Sequence, residues 1–225
     1  MQADDVAALV PAAGSGSRLG RGPKAFVELA GRSLLAWAVD ALQPFVGEVI
    51  VAVPADAVAA ARRLVPDARV VSGAATRQAT VALLAAASER PWVVIHDAAR
   101  PFLDVDTVRA VLAALPRARA LSVAMPVADS LVDARDGSTV DRGPLRAVQT
   151  PQAFERQLLL DAHAAARAAG VAATDDAALV RRLGVPVTLV AGGAHLMKVT
   201  TAGDLQLAEA YAHVLRAAQP AGAAP

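Results

Sequence analysis

The 225-residue sequence contains no cysteine, so disulfide bonds and thiolate ligands for a metal are excluded. Aromatic residues make up only 3% of the chain, and its formal net charge at pH 7 is +1. Nucleic-acid-binding surfaces are usually strongly basic and often stack bases on aromatic side chains, so this composition argues against a nucleic-acid partner. Any site that binds an anion must therefore be local.

Long apolar runs are also missing. No uncharged apolar stretch approaches the roughly 20 residues that a membrane-spanning helix requires. The first residues, "MQADDVAALVPAAG", are acidic and contain only a short apolar run, which fits neither a secretory signal peptide nor a transit peptide. We therefore expect no membrane partner and a cytoplasmic location.

Short apolar runs alternate with longer helical patterns along the chain. Strands are predicted at Val6–Val10, Glu48–Val53, Ala68–Val71, Trp92–Ile95, Leu121–Ala124 and Val187–Val190. Helices are predicted at Ser33–Leu42, Ala55–Leu64, Thr76–Ala87, Asp104–Ala114, Glu155–Ala168, Asp176–Leu183 and Ala202–Ala217. Because the strands are continuously apolar rather than alternating, they indicate a mostly parallel sheet with helices on both faces, which is a doubly wound α/β fold.

One segment, from Pro126 to Arg146, interrupts this alternation. Its sequence "LVDARDGSTVDR" is typical of two short strands around an Asp-Gly turn, and it is too polar for the core. We interpret residues 126–146 as a β-arm that needs another surface to pack on, for which a second subunit is the simplest candidate. Residues 1–217 form a single predicted domain, and the low-complexity tail 218–225 is predicted to be disordered.

The loop after the first strand, "PAAGSGSRLGRGPK", combines glycines with cations. Gly14 and Gly16 would let backbone N–H groups approach an anion, while Arg18 and Lys24 add positive charge. Pro23 restricts the backbone directly before Lys24 and so helps to position it. The loop matches neither the Walker motif nor the dinucleotide-binding fingerprint. The alternative is a flexible basic connection without a ligand.

The fourth predicted strand ends in "VVIHDAARP", which puts a carboxylate at a strand end. Ligands of open α/β sheets bind at the carboxyl ends of the strands. There, Asp97 could hold a divalent cation or a substrate hydroxyl, and Arg100 could pair with it or bind a phosphate. An internal Asp–Arg pair at a helix entry explains this motif equally well. His96 fits an orienting or structural role better than that of a base.

Two further segments carry weaker signals. In "VVSGAATRQATVALL", Gly73 follows the third strand, and Arg77 and Thr80 lie near the start of the next helix. A glycine loop of this kind could bind a base or a ribose, but many turns look similar. In "ATDDAALV", Thr174 or Asp175 fits the N-cap of a helix, which would be a purely structural role.

The combined set of residues favours one class of chemistry. The chain has no Gly-x-Ser-x-Gly or His-Glu-x-x-His motif, which argues against acyl hydrolysis and zinc chemistry. Cations, hydroxyls and one carboxylate suit phosphoryl or nucleotidyl transfer, which depends mainly on positioning and charge neutralisation. If Arg18, Lys24 and Lys198 face one triphosphate, they would stabilise charge on the α-phosphate and on departing pyrophosphate, with magnesium bridging the phosphates.

The motifs "PAAGSGSRLG…PKAF", "VVIHDAARP", "VDRGPLRAVQTPQ", "TDDAALV" and "MKVTT" occur together in this order. They closely resemble the 2-C-methyl-D-erythritol 4-phosphate cytidylyltransferase family over the chain from Val6 to Tyr211. The resemblance implies a Rossmann-like fold whose β-arm clasps a homodimer. It also implies transfer of CMP from CTP to 2-C-methyl-D-erythritol 4-phosphate, which gives 4-diphosphocytidyl-2-C-methyl-D-erythritol and pyrophosphate. This reaction belongs to the methylerythritol phosphate pathway of isoprene biosynthesis and is expected to require magnesium.

The resemblance also assigns roles to individual residues. The expected catalytic cations are Arg18, Lys24 and Lys198. Asp97 and Arg100 would meet the sugar phosphate, with Asp97 also at the metal, and Arg142 on the arm would reach the substrate phosphate of the partner subunit. The accompanying hydroxyl contacts would come from Ser130, Thr150 and Thr174. The expected nucleotide-binding residues are Ala12, Ala13, Gly14, Gly16, Gly73 and Thr80.

The chain departs from the usual family pattern at the nucleotide. Ala74 and Ala75 stand where a second glycine and often an acid are common, and Thr80 stands where a serine is usual. Both departures bear on cytosine selectivity and leave the basic residues untouched.

Several alternatives belong to other functions. A ribitol 5-phosphate cytidylyltransferase of the same superfamily would present similar motifs, because both acceptors carry a phosphate on a short polyol. A module that binds CTP without turnover would not need all of Arg18, Lys24 and Lys198. A glycosyltransferase normally has an Asp-x-Asp metal motif, and the nearest match, "DVD" at Asp104–Asp106, is predicted to begin a helix.

Overall fold

The structure is a computed structural model that describes residues 1–14, 16 and 22–218. Two predictions concern residues outside the described ones. These are the catalytic role of Arg18 and the disorder of residues 219–225. The strands are β1 (Val6–Pro11), β2 (Glu28–Leu29), β3 (Arg32–Ser33), β4 (Glu48–Val53), β5 (Arg69–Ser72), β6 (Trp92–Ile95), β7 (Ala120–Pro126), β8 (Leu131–Val132), β9 (Thr139–Val140), β10 (Arg146–Glu155) and β11 (Thr188–Ala191). The helices are α1 (Leu34–Leu42), α2 (Val58–Leu64), α3 (Arg77–Ala87), α4 (Val105–Ala114), α5 (Arg156–Ala168), α6 (Asp176–Arg182) and α7 (Ala202–Ala218).

The centre of the fold is a seven-stranded sheet with the strand order β11-β7-β10-β6-β1-β4-β5. Its pairs are parallel except those of β10, which runs antiparallel to both β6 and β7. The predicted doubly wound, mostly parallel α/β fold is therefore confirmed. The strand order reverses direction between β1 and β6, and this switch point is where open α/β sheets bind their ligands.

The sheet is covered on both faces, as its continuously apolar strands require. Side chains of β1 alternate between two apolar clusters, with Val6 and Ala8 in one and Ala7 and Leu9 in the other. Helices α1 and α4 contribute to the first cluster, and helices α3, α5 and α6 contribute to the second. Burial of this apolar surface is the main stabilising term of the fold.

Polar side chains begin four of the helices. Ser33, Thr76, Asp104 and Asp175 each accept a hydrogen bond from the backbone N–H three residues further on. Three of the helix predictions started at such a cap, so the observed helices begin one residue later.

In the described part of the chain, no helix is both long and apolar enough to cross a membrane.

Two structural elements were missed by the sequence predictions. Strand β10 was overlooked because its first half is polar and because Pro151 interrupts the apolar pattern. The β10–β7 pairing is irregular between Val148 and Gln152, and the Thr150–Pro151 peptide bond is cis. The short hairpin β2–β3 was also missed, since two-residue strands leave no periodic signal.

The predicted β-arm leaves the sheet after β7 and returns at β10. Within it, β8 and β9 pair antiparallel, and Gly137 of the Asp-Gly turn has a φ of 74°. Several apolar side chains of the arm are exposed, including Val132 at 62% and Val140 at 37%. The hairpin is confirmed, and its proposed packing on a second subunit stays a prediction.

Candidate active site

The candidate site lies at the switch point, where the loops that follow β1 and β6 meet. Parallel pairing sets Leu9 of β1 beside Ile95 of β6, so both strands end at the same edge. Ala12 and Gly14 continue from β1, and His96 and Asp97 continue from β6. This is the location that the sequence motifs predicted.

Both lysines of the sequence line one cavity at this edge. The cavity has a volume of about 160 Å³, and we call it the lysine cavity. It is lined by Pro11, Ala12, Gly14, Lys24, Ala25, Arg77, Asp97, Ala98, Ala99 and Lys198. Lys24 and Lys198 are separated by most of the chain in sequence, and the fold brings them together.

These two residues stand out in the composition as well. The sequence has 22 Lys and Arg residues, and only Lys24 and Lys198 are lysines. An ammonium is a compact point charge, whereas a guanidinium is a wide planar fork, so the two are not interchangeable at a site that binds a phosphate oxygen. A chain that uses arginine at its other basic positions and keeps lysine at these two indicates a specific requirement for the ammonium group.

Lys24 is positioned by the glycine loop and by Pro23. It begins a 3-10 turn, Lys24–Phe26, which closes through a hydrogen bond of 3.0 Å from Phe26 N to Pro23 O. Gly16 has a φ of 65°, and a Cβ at this position would lie 2.8 Å from Lys24 N. Only glycine fits here, because any side chain would push against the backbone of Lys24.

Asp97, which lines the lysine cavity, contacts two cations. Its Oδ2 accepts a hydrogen bond of 2.7 Å from Lys198 Nζ, and its Oδ1 accepts one of 3.2 Å from Arg77 Nε. Burial alone would raise the pKa of Asp97, but the charges of Arg77 and Lys198 outweigh it and hold the pKa well below its ordinary value. Asp97 is therefore ionised at neutral pH.

His96 and Thr150 fix the backbone of Asp97. The Thr150 hydroxyl oxygen accepts from Asp97 N at 3.1 Å and lies 3.0 Å from His96 Nδ1, while His96 Nε2 lies 2.9 Å from Arg100 O. A carbonyl can only accept, so Nε2 carries the proton and the Thr150 hydroxyl donates to Nδ1. Burial lowers the pKa of His96 to about 4, so the ring stays neutral and acts structurally.

The segment that carries Lys198 is held from several sides. Val199 N donates to Ala99 O at 2.8 Å, and Arg100 Nη1 donates to Leu196 O at 2.6 Å. Gln149 Nε2 donates to Gly193 O at 2.8 Å. Arg100 thus donates a hydrogen bond directly to the segment that carries Lys198, and it also lines a second cavity.

This second cavity adjoins the first and has a volume of about 220 Å³. We call it the threonine cavity; it is lined by Arg77, Asp97, Arg100, Val148, Gln149, Thr150, Gln152, Thr174, Asp175 and Lys198. It shares Arg77, Asp97 and Lys198 with the lysine cavity. The arrangement can hold two ligands side by side, with a lysine ammonium at their junction.

The predicted nucleotide-binding residues form a third group beside the lysine cavity. Gly73, after β5, packs so closely on Ala13 that a Cβ would lie 2.4 Å from the Ala13 Cβ. Ala74 N donates to Thr80 Oγ1 at 3.0 Å, which ties the start of α3 to the loop. Ala12 and Ala13 thus follow β1, Gly73 follows β5 and Thr80 lies in the first part of α3, and their binding role stays a prediction.

The comparisons with known proteins decide the family. The family model for 2-C-methyl-D-erythritol 4-phosphate cytidylyltransferase matches residues 6–214. A protein of that name from Deinococcus radiodurans is 58% identical over 207 residues, covering 91% of this chain and 88% of the relative. A relative from Thermus thermophilus is 47% identical, covering 93% of this chain and 98% of that protein.

The chain belongs to the 2-C-methyl-D-erythritol 4-phosphate cytidylyltransferase family. Solved structures agree with this. The crystal structure of the Thermus thermophilus cytidylyltransferase has a TM-score of 0.82 and 42% identity, covering 95% of this chain and 100% of that one. The structure of 4-diphosphocytidyl-2C-methyl-D-erythritolsynthase from Anaerococcus prevotii has a TM-score of 0.83 and 25% identity, covering 94% and 97% respectively.

Two of the residues predicted to bind the acceptor of the cytidylyltransferase lie away from both cavities. Ser130 and Arg142 are exposed on the arm, and neither lines the lysine or the threonine cavity. Arg142 Nη1 donates to Ala128 O within the same arm. A role for Arg142 at a cytidylyltransferase site therefore requires a second subunit, and this role stays a prediction.

The residue that sequence reasoning undervalued in this cytidylyltransferase is Arg77. It lines both cavities and forms ion pairs with Asp97 and Asp176, the latter at 2.8 Å from Nη1. One signal could have identified it. A cation in the first turn of a helix opposes the helix dipole, so Arg77 directly after the N-cap Thr76 implies an acidic partner elsewhere in the fold.

Proposed function

We propose that this chain transfers the CMP group of CTP to 2-C-methyl-D-erythritol 4-phosphate, giving 4-diphosphocytidyl-2-C-methyl-D-erythritol and pyrophosphate. Family membership makes the chain a nucleotidyltransferase of the methylerythritol phosphate pathway. The observation that carries the mechanism is the meeting of Lys24 and Lys198 in one cavity at the switch point of the sheet. The relatives reported above carry the methylerythritol name, so ribitol 5-phosphate is not favoured as the acceptor.

The reaction exchanges one phosphorus–oxygen bond for another. An oxygen of the acceptor's phosphate attacks the α-phosphorus of CTP, and the bond from that phosphorus to the pyrophosphate oxygen breaks. The attacking oxygen is already anionic, so no general base is needed. The residues must instead align two anions and neutralise the charge that builds up on the α-phosphate and the leaving group.

Lys24 and Lys198 supply that neutralisation in the proposal, together with Arg18. Lys198 lines both cavities, so its ammonium can contact the α-phosphate at the junction of the two substrates. Lys24, positioned by Pro23 and Gly16, also lines the lysine cavity and contacts the phosphates in this proposal. The base and ribose lie against Ala12, Ala13, Gly73 and Thr80 in this arrangement.

The acceptor occupies the threonine cavity in this proposal. Arg100 and Thr174 line it, and Thr150 shapes it by holding the backbone of Asp97. Arg142 and Ser130 from the arm of a second subunit complete the binding site for the acceptor's phosphate. The working enzyme is therefore a homodimer in this proposal. The exposed apolar residues of the arm, such as Val132, support a partner surface there.

Magnesium is the proposed cofactor, and the site fits an ion that is held by one carboxylate together with substrate phosphates and water. Among the described residues, no three His, Asp or Glu side chains converge on a common point. Magnesium is commonly bound by one or two carboxylates with substrate phosphates and water completing its shell, and Asp97 provides one such carboxylate at the lysine cavity. When bound, the ion would neutralise phosphate charge. The proposed location of the reaction is the cytoplasm, where nucleoside triphosphates are available.

An acceptor screen tests this function. Purified protein with CTP, magnesium and 2-C-methyl-D-erythritol 4-phosphate should release pyrophosphate, and ribitol 5-phosphate should be a much poorer acceptor. Pyrophosphate release with ribitol 5-phosphate alone would contradict the proposed acceptor.

A binding-only role is tested separately. If the chain merely binds CTP, Lys24→Ala should change CTP affinity and nothing else. For the enzyme, we expect turnover to fall by more than about 100-fold, which corresponds to about 2.7 kcal/mol of barrier, with CTP binding largely retained.

A further inference from the structure

Arg77 connects the site to the interior of the protein. It is the first residue of α3, and its guanidinium divides its contacts between two acids. Nε lies 3.2 Å from Asp97 Oδ1 on the cavity side, and Nη1 lies 2.8 Å from Asp176 Oδ2 behind it. Arginine can do this because its donors point in fixed, different directions, which a single lysine ammonium cannot reproduce.

Asp176 provides a rigid anchor for this arginine. Its side chain is only 1% exposed, and it begins helix α6. Its other carboxylate oxygen lies 3.2 Å from Nε2 of the buried His163, and its backbone N donates to Gln152 Oε1 at 3.2 Å. A buried carboxylate without a cation would be costly, so the fold holds Arg77 firmly against Asp176.

Asp97 is consequently held by one anchored cation and one partly exposed cation. Arg77 is anchored by Asp176, whereas Lys198 has a 39% exposed side chain at the junction of the two cavities. When Lys198 turns to a phosphate, its contact with Asp97 weakens. Asp97 then depends on Arg77 for compensation of its buried charge.

We propose that Arg77 is a positioning residue for the transfer reaction: anchored by Asp176, it holds Asp97 so that Lys198 can leave that carboxylate for the α-phosphate. This inference rests on the proposed function. Without Arg77, Asp97 would retain Lys198 more tightly as its remaining close cation, and the ammonium would be less available to the transition state. The predicted loss therefore falls on kcat more than on the KM for CTP.

Two variants test this role, and a third serves as a control. Arg77→Lys keeps the charge but cannot contact both acids, and Asp176→Asn removes the anchor without changing a residue that lines either cavity. We expect each to lower kcat by about tenfold or more, with the KM for CTP changing less than about threefold. The matched control is Arg119→Lys, which alters an exposed pair with Glu155 far from the cavities and should leave kcat within about twofold.

A second readout separates positioning from loss of stability. Arg77 and Lys198 both contact the Asp97 carboxylate, through its Oδ1 and Oδ2 respectively. In Asp176→Asn, which adds no lysine, the ¹³C signal of Lys198 labelled by reductive methylation with ¹³C-formaldehyde should shift, because Asp97 then holds the ammonium more tightly, and Lys198→Arg identifies this signal. A reduced melting temperature with kcat and the Lys198 signal unchanged would overturn the inference.

The two proposals can fail independently. If the unmodified protein releases no pyrophosphate with any acceptor, the proposed function fails, and the Lys198 signal in Asp176→Asn still tests the hold of Arg77 on Asp97. If the unmodified protein is active, Arg77→Lys matches Arg119→Lys in kcat, and the Lys198 signal does not respond to Asp176→Asn, the function stands and the role of Arg77 is wrong.

Discussion

At the scale of single residues, the choice between lysine and arginine carries information in this chain. The site retains the sequence's two lysines, although arginine occupies the other basic positions. A surface ion pair would accept either residue, since both keep the charge. A phosphate oxygen in a cavity of about 160 Å³ would not, because the guanidinium is larger and its donors lie in one plane.

Charge-conserving substitutions test this interpretation. We expect Lys24→Arg and Lys198→Arg each to reduce kcat/KM by at least about tenfold, because the wider head group displaces the phosphate that it should contact. Steady-state pyrophosphate release measures the effect. If both variants kept full activity, only the positive charge would matter, and the use of lysine at these two positions would have no functional reason.

A second prediction at this scale concerns Asp204, which fixes the chain just after Lys198. It accepts hydrogen bonds from Thr200 Oγ1, Thr200 N and Thr201 N, and its own N donates to Thr201 Oγ1. This reciprocal pair is a capping box at the start of α7. The hydrogen bond from the Thr200 side chain is the main cause that lowers the pKa of Asp204 to about 2.

The lowered pKa of Asp204 makes the free energy of unfolding depend on pH. A carboxyl group with a lowered pKa stabilises the fold above its ordinary value of 3.8, and this contribution is lost as the pH falls towards 2. Asp204→Ala should cost roughly 1 kcal/mol of unfolding free energy at neutral pH, and the difference should shrink below about pH 4. Urea unfolding at several pH values measures it. A difference that grew on acidification would have the wrong sign.

At the scale of structural elements, the opening loop depends on a close approach of its own backbone. A Cβ on Gly16 would lie 2.5 Å from Gly22 O and 2.8 Å from Lys24 N, and the φ of 65° disfavours any side chain. Gly16→Ala should therefore move Lys24 and lower kcat/KM by more than about tenfold. Gly203→Ala, in helix α7 with its nearest contact at 3.8 Å, is the matched control. Equal activity of the two variants would argue against a positioned loop.

Elements with a periodic pattern could be predicted from the sequence, and those defined by pairing could not. The apolar runs of β1, β4 and β6 and the polar caps of the helices predicted bounds within about two residues of those observed. Strand β10 lacks such a pattern because its position between β6 and β7 is set by long-range pairing and an irregular register. Its contribution to the threonine cavity, through Gln149 and Gln152, was therefore missed as well.

The residues of the site also divide into those that could be predicted from the sequence and those that could not. Lys24, Asp97 and Lys198 could be predicted because each follows a strand end or a distinctive loop. Arg77 and Asp176 could not be paired from sequence, because α3 and α6 meet only through the tertiary fold. A basic first turn in α3 indicates that some acidic partner exists, but not which one.

At the scale of the whole molecule, the arm links the site to a second subunit in the proposed enzyme. Arg142 lies outside both cavities of its own chain, so a catalytic contribution must cross between subunits. Arg142→Glu should raise the KM for the acceptor and leave CTP binding nearly unchanged. Light scattering that found only monomers at working concentrations would exclude the shared site.

Mixing variants gives a stronger test of the shared site. Arg142→Glu and Lys198→Met subunits should each be poorly active alone, but a mixed dimer has one site with both residues intact. Random reassociation of equal amounts should restore about a quarter of the unmodified activity. No recovery, with mixed dimers verified by mass spectrometry, would contradict an arm that works across the interface.

The central claim is that Lys24 and Lys198 contact the same triphosphate, and the composition makes this directly measurable. Reductive methylation with ¹³C-formaldehyde places NMR labels only on these two lysines and the α-amino group, and it keeps their charge. Lys24→Arg and Lys198→Arg assign the two lysine signals. Addition of CTP with magnesium should shift both lysine signals over the same concentration range and leave the α-amino signal in place. A titration in which only one lysine responds would contradict the account.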